Sequence, residues 1–182
     1  DQFEPDIVLS WMNRASAQTG KALAKSSAAP PLIGRLGGYY DLKYYAGCDH
    51  LVGNTPDIAC YILEQRWPKR SVHFVPNFVS EMAGTQLPRH AFNVPDDALL
   101  VLAAGRLHQN KAFDTLLTAM KNLPGVYLIL AGDGLDARKL ESLALKIGIA
   151  DRVRFLGWRT DMANLMATVD LLICPSRIEP LG

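Results

Sequence analysis

Residues 99–134 read LLVLAAGRLHQNKAFDTLLTAMKNLPGVYLILAGDG. Two apolar runs, 99–104 and 126–131, each stop at a glycine. Between them Phe113, Leu116, Leu117 and Met120 fall at i, i+3, i+4 and i+7, one face of a helix. Short apolar runs bounded by glycine, with a helical period between them, predict buried parallel strands joined by a right-handed crossover. The pattern continues downstream. Leu140, Leu143, Ala144 and Ile147 repeat the helical spacing, and Gly148 suits the end of that helix. Runs 153–156 and 171–174 supply two more strands, with a helix starting at Thr160-Asp161 and running through Met166. Four strands and three helices predict an α/β fold with a doubly wound parallel sheet.

Upstream the pattern is similar but less regular. Apolar runs 6–10, 50–53 and 72–75 are read as strands of a first sheet. Thr55-Pro56-Asp57 marks a helix start: a hydroxyl cap, proline in the first turn, and an acid near the positive helix end. Residues 77–98 lack periodicity and carry Gly84, Pro88 and Pro95. The chain therefore divides into a first Rossmann-like domain over 1–76, a linker over 77–98 and a second domain over 99–182. The net charge of +1 calls for neither nucleic acid nor an anionic surface. No apolar run approaches a membrane span. Cys48, Cys60 and Cys174 show no metal-ligand spacing, so no metal is expected, and scattered thiols fit a reducing cytoplasm.

In open parallel sheets, ligands bind beyond the carboxyl ends of the strands. Residues just after the strands are therefore the candidates. After 99–104 comes Gly105-Arg106-Leu107-His108-Gln109-Asn110-Lys111. Glycine there permits a sharp turn and close approach by a ligand. Arg106 and Lys111 suit a diphosphate, one as a planar fork and one as a point charge. Two solvated cations, or Arg106 paired with an acid, are the alternatives. Gly132-Asp133-Gly134 lacks the third glycine of a dinucleotide fingerprint. These glycines are read as a tight turn, and Asp133 as a helix cap or a partner for Arg106. After 171–174 comes Pro175-Ser176-Arg177-Ile178-Glu179-Pro180-Leu181-Gly182. Pro180 suits the first turn of a helix whose amino end would attract an anion. Glu179 is a partner for sugar hydroxyls or, alternatively, a cap or an ion pair with Arg177 or Arg106.

Four blocks in this order, Gly105-Arg106-Leu107…Lys111, Ala131-Gly132-Asp133-Gly134, Asp151–Gly157 and Asp170–Gly182, resemble the donor domain of glycosyltransferase family 4, retaining enzymes of the GT-B fold. Pro5-Asp6-Ile7-Val8, Asn54-Thr55 and Val75-Pro76-Asn77 resemble the later part of that family's acceptor domain. The resemblance implies two Rossmann-like sheets, both incomplete in this chain, which is read as an inactive fragment of a longer enzyme. It implies that Arg106 and Lys111 bind the donor diphosphate beside Gly105, and that Glu179 contacts the hexose. The backbone of Pro180, Leu181 and Gly182 would lie along the sugar and phosphates. The backbone near Leu156 and the side chain of Arg159 would lie by the base. Ala112 stands where the family usually has glycine.

The implied reaction is transfer of a hexosyl group from a nucleotide-diphosphate sugar, UDP- or GDP-linked, to a glycan or glycolipid. It would retain configuration, and fixed cations would stabilise the leaving diphosphate with no metal or other cofactor. The implied setting is cell-envelope polysaccharide assembly in the cytoplasm, with peripheral contact at the inner membrane face and no nucleic-acid partner. On the acceptor side, Arg14, Arg35 and Tyr39 are the candidates, the arginines for an anionic acceptor. Tyr39, Tyr40, Tyr44 and Tyr45 carry enough aromatic surface to stack on a sugar, with packing the favoured use. Rival readings are a sugar-nucleotide 2-epimerase of the same fold and a nucleotide-binding module without catalysis.

Overall fold

The computed structural model describes residues 4–79, 81 and 83–178. The chain forms two compact units, one up to Val79 and the other beyond it.

The first unit is a parallel sheet of β1 (Val8–Trp11), β2 (Leu32–Leu36), β3 (His50–Gly53) and β4 (Val72–Phe74), in that spatial order. Helices α1 (Met12–Leu23) and α2 (Pro56–Glu64) connect them. The inward face packs Leu32, Leu36, Leu51, Ile58, Ile62 and Tyr45 into one core. The Thr55 hydroxyl accepts the Ile58 N–H at 3.1 Å with Pro56 in the first turn of α2, as its sequence implies.

Two elements of this unit escape the sequence reading. β2 carries Gly34 and Arg35 in mid-strand, which breaks its apolar run. Glycine is required there, because a Cβ on Gly34 would stand 2.7 Å from the Tyr45 ring and 2.9 Å from Cys48 Sγ. α1 has no apolar stripe. Its one buried residue is Ser16, whose hydroxyl lies 2.9 Å from that of Ser10, and Gly20 meets Gly47 backbone to backbone. Close contact through small residues replaces hydrophobic periodicity.

The second unit is a parallel sheet of β5 (Leu99–Ala104), β6 (Val126–Ala131), β7 (Val153–Gly157) and β8 (Leu171–Leu172), ordered β7-β6-β5-β8. Crossovers run through α3 (Phe113–Met120), α4 (Ala137–Lys146) and α5 (Met162–Thr168). One face buries Val101, Ala103, Leu128 and Leu130 under α3 and α4. The other buries Leu100, Leu102, Ile129 and Ala131 under Leu165 of α5. Both faces are covered, so the sheet is doubly wound.

The expected linker over 77–98 is corrected. Phe92 and Val94 lie in the same core as Leu100 and Leu165. The Thr85 N–H donates to Asn164 Oδ1 at 2.9 Å, and the Leu87 N–H to Thr168 Oγ1 at 2.8 Å. Residues 85–98 thus belong to the second unit. Their burial follows no strand or helix period, because most of the segment is irregular apart from a short 3-10 turn at Arg89–Phe92. At the other end, Asn77 accepts from Arg35 within the first unit.

Asp170 ties this segment down. Its carboxylate accepts the Leu100 N–H and the Arg89 guanidinium, each at 2.7 Å. The Leu100 N–H, then Arg89, hold its carboxyl below the usual aspartate range. A lowered folded-state pKa means the contribution is complete above the unfolded value, about 3.9, and fades as pH falls below it. Asp170→Asn is expected to cost about 1 kcal/mol at neutral pH, the carboxylate being partly exposed. The difference should shrink steadily as pH falls below the unfolded aspartate value; denaturant titrations across pH measure it.

Candidate functional site

The strand order of the second sheet reverses at β5: β6 and β7 lie on one side, β8 on the other. Such a switch point opens a crevice at the carboxyl edge. A cavity of about 260 Å³ sits at this edge, lined by Ala104, Gly105, Arg106, Ala131, Gly132, Trp158, Arg159 and Met162.

Backbone contacts between the loops that follow β5 and β6 build its floor. Gly105 N–H donates to Ala131 O at 2.9 Å, Leu107 N–H to Asp133 O at 2.9 Å, and Gly132 N–H to Gly157 O at 2.7 Å. The chains run so close that a Cβ on Gly132 would lie 1.9 Å from Gly105 O, and one on Gly134 2.4 Å from Leu107 O. Both glycines serve this close approach. Asp133 accepts the Gly134 N–H at 2.7 Å and stays in its own turn. It does not cap α4, which begins after Asp136 without a side-chain cap.

Arg106 is exposed on the cavity wall, with no ion-pair or hydrogen-bond partner among the described residues. Lys111 is half-buried against the same turn: a methyl group at Gly105 would meet Lys111 Cε at 3.7 Å. Ala112 has φ +53°, the left-handed region, which accounts physically for glycine at this position. Ala112→Gly is expected to raise stability by about 0.5–1 kcal/mol, relief of strain outweighing the added chain entropy. A denaturant titration of the two proteins checks it.

Arg159 lines the cavity and is held as a fork: its Nε and Nη2 donate to the two Asp161 oxygens at 2.8 and 2.6 Å. Asp161 therefore occupies the cap position of α5 without capping it. Leu156 lies where the β6–β7 register shifts, Leu130 facing Phe155 and Ala131 facing Gly157. Its side chain turns to the core beside α5. Such a bulge re-aims the residues that follow, and here they are Trp158 and Arg159. Trp158 is 79% exposed and lines the cavity, and the sequence reading missed it. The available signal was a tryptophan directly after Gly157 at a strand end.

Glu179, Pro180, Leu181 and Gly182 lie outside the described residues. The segment leading to them is anchored beside the Gly105–Lys111 loop. Arg177 N–H donates to Asn110 O at 2.8 Å. Its guanidinium donates to both Asp114 oxygens at 3.0 and 2.9 Å, and to Gln109 O at 2.6 Å. Arg177 ties the segment after β8 to the loop after β5 and the first turn of α3, a positioning role the sequence reading did not assign.

The acceptor-side candidates of the first unit lie in three places. Arg14 lines a groove between α1 and the turn at Lys43-Tyr44, with Asn13, Gln18 and Lys21. Arg35 lies 5.5 Å from the Trp11 ring and donates to Asn77 Oδ1, on the sheet face away from the helices. Tyr39 donates its hydroxyl to Asp57 and sits edge-on to Tyr61. Among the tyrosines, Tyr45 is buried while Tyr39 is 63% exposed. Among the described residues no helix is long and apolar enough to cross a membrane.

Residues 86–182 match the family model described as glycosyl transferases group 1, just over half of the chain. Two lipopolysaccharide core biosynthesis glycosyltransferases of Rhizobium meliloti (strain 1021), LpsE and LpsD, are 37% and 36% identical over 98% and 100% of this chain. The chain spans 51% of each, about half their length. Among solved structures, Anabaena Alr3699/HepE in complex with UDP and glucose aligns with a TM-score of 0.78 at 21% identity, over 97% of this chain and 55% of that one. The lipopolysaccharide outer core galactosyltransferase WaaB, in its apo form, aligns at 0.68 and 21%, over 98% and 52%. These likenesses show the fold, two parallel α/β sheets of the GT-B type. The chain belongs to the glycosyl transferases group 1 family.

Proposed function

We propose that the protein transfers a hexosyl group from a nucleotide-diphosphate sugar to a glycan or lipid-linked glycan of the cell envelope. The observation that carries this reading is the cavity at the switch point of the second sheet, with Arg106, which has no partner among the described residues, on its wall and Lys111 packed against Gly105. As the glycosidic bond breaks, negative charge grows on the leaving diphosphate. Fixed cations beside it stabilise that charge without reorganisation. Arg106 grips two phosphate oxygens as a fork and Lys111 adds a point charge. Trp158 offers a flat surface for the base, with Arg159, oriented by Asp161, beside it. HepE holds UDP in its solved complex, and LpsE and LpsD are named for the lipopolysaccharide core. UDP-sugars and anionic core glycolipids are therefore the first substrates to try.

The resemblance to family 4 adds retention of configuration, contact of Glu179 with the hexose, and catalysis without a metal. Proton NMR of the product made by the full-length protein from a UDP-α-hexose tests this directly. An α-linked product supports the reading. A β-linked product refutes retention, and the absence of transfer to any glycan acceptor refutes the transferase assignment.

A further inference from the structure

β3 and β4 are parallel neighbours, with Val52 opposite His73. Strand side chains alternate, so His50, two residues before Val52, shares a face with His73. Leu51, between them in β3, points into the core under the helices. The two histidines therefore project from the opposite face, away from α1 and α2. His50 Nδ1 lies 3.0 Å from His73 Nε2, with ring centroids 5.2 Å apart and planes tilted by 41°. His50 is half-buried and His73 exposed. The pair belongs to the first unit and has no part in the donor cavity.

We propose that His50 and His73 form a two-histidine site for a late divalent transition-metal ion, Ni²⁺ or Zn²⁺. Imidazole nitrogens sit about 2.0–2.1 Å from such ions. Two ligands meeting at right or tetrahedral angles are then about 2.9–3.3 Å apart. The observed spacing of 3.0 Å falls in that interval. Imidazole suits zinc, nickel and copper, whereas magnesium and calcium take oxygen ligands. Among the described residues no group of three or more histidine, cysteine, aspartate or glutamate side chains gathers to hold a metal. The remaining positions fall to water, so the ion exchanges readily. The competing use of the pair is a ring-to-ring hydrogen bond, which contributes little where water competes for both rings. The ion takes the place of the shared proton and ties the three-residue strand β4 to β3. An ion that binds only the folded chain raises its stability.

Calorimetric titration of the untagged chain with NiCl₂ and ZnCl₂ tests this, paired with thermal melts. The background carries Cys60→Ser and Cys174→Ser, since both thiols are exposed and compete for the ions. The expected result is one ion per chain with a micromolar Kd and a rise in Tm. MgCl₂ should give neither. His50→Gln and His73→Gln should each weaken binding by about tenfold or more, with the metal-free Tm unchanged. His90→Gln and His108→Gln should leave binding as it is. Absence of saturable binding, or binding that persists equally in both His50→Gln and His73→Gln, overturns the proposal.

Discussion

Arg106→Ala is expected to weaken binding of a nucleoside diphosphate by about 10- to 100-fold, which corresponds to one lost charge-assisted fork of roughly 1.5–3 kcal/mol. The loss in kcat/KM should be larger, about 10²–10³-fold, because diphosphate charge is greater in the transition state than in the bound donor. Arg106→Lys keeps the charge but loses the planar fork, and should fall between wild type and alanine. Tm should not move. The side chain is exposed on the cavity wall and has no partner among the described residues whose loss would disturb the fold. Nucleotide titrations, steady-state kinetics and a melt of each variant read these three quantities. A fall in Tm as large as the fall in affinity would make Arg106 a structural residue.

Gly132→Ala should be the most damaging single methyl group in the second unit, costing about 3–5 kcal/mol. Its Cβ would stand 1.9 Å from Gly105 O, and φ is +136°, which side chains rarely adopt. The backbone cannot ease away cheaply. Gly132 N–H is bonded to Gly157 O, and Gly105 N–H to Ala131 O, so a shift breaks the contacts that join three strand ends. Nucleotide binding should therefore fail even where the variant remains folded, because the cavity floor is that contact. Gly125→Ala is the control: nothing lies within 4 Å of a Cβ there and its φ is ordinary. That substitution should be close to neutral. Denaturant titration of both variants, followed by nucleotide titration below the transition, measures the two effects. Equal stability of the two would show that the loop relaxes.

The two central strands of the second sheet, β5 and β6, were legible because they are largely buried and read as unbroken apolar runs. The bounds of β5 and β6 coincide with the apolar runs 99–104 and 126–131. β1 lies slightly later than its run, and β8 ends two residues early. β2 and α1 were illegible for one shared reason. Where Gly34 makes room for Tyr45 and Gly20 meets Gly47, packing is achieved by small residues, which leave no hydrophobic period. The segment 85–98 was read as linker because residues without a regular period can still bury Phe92 and Val94. In the site, Gly105 and Arg106 were reachable from position alone, since they follow a strand at the carboxyl edge, whereas Arg159 came only from the family resemblance. Trp158 and Arg177 were reached by neither route. Trp158 reaches the cavity through a register shift, and Arg177 acts through a partner more than sixty residues away, Asp114.

We propose that this cavity holds the diphosphate of a nucleotide donor through Arg106 and Lys111. The most direct measurement is calorimetric titration of UDP, GDP and ADP into the full-length protein and its Arg106→Ala/Lys111→Ala variant, with and without EDTA. The expected result is that one of the three nucleotides binds, that EDTA leaves its affinity unchanged, and that the double variant loses it. Binding that the double variant retains, or no binding of any of the three, would contradict it.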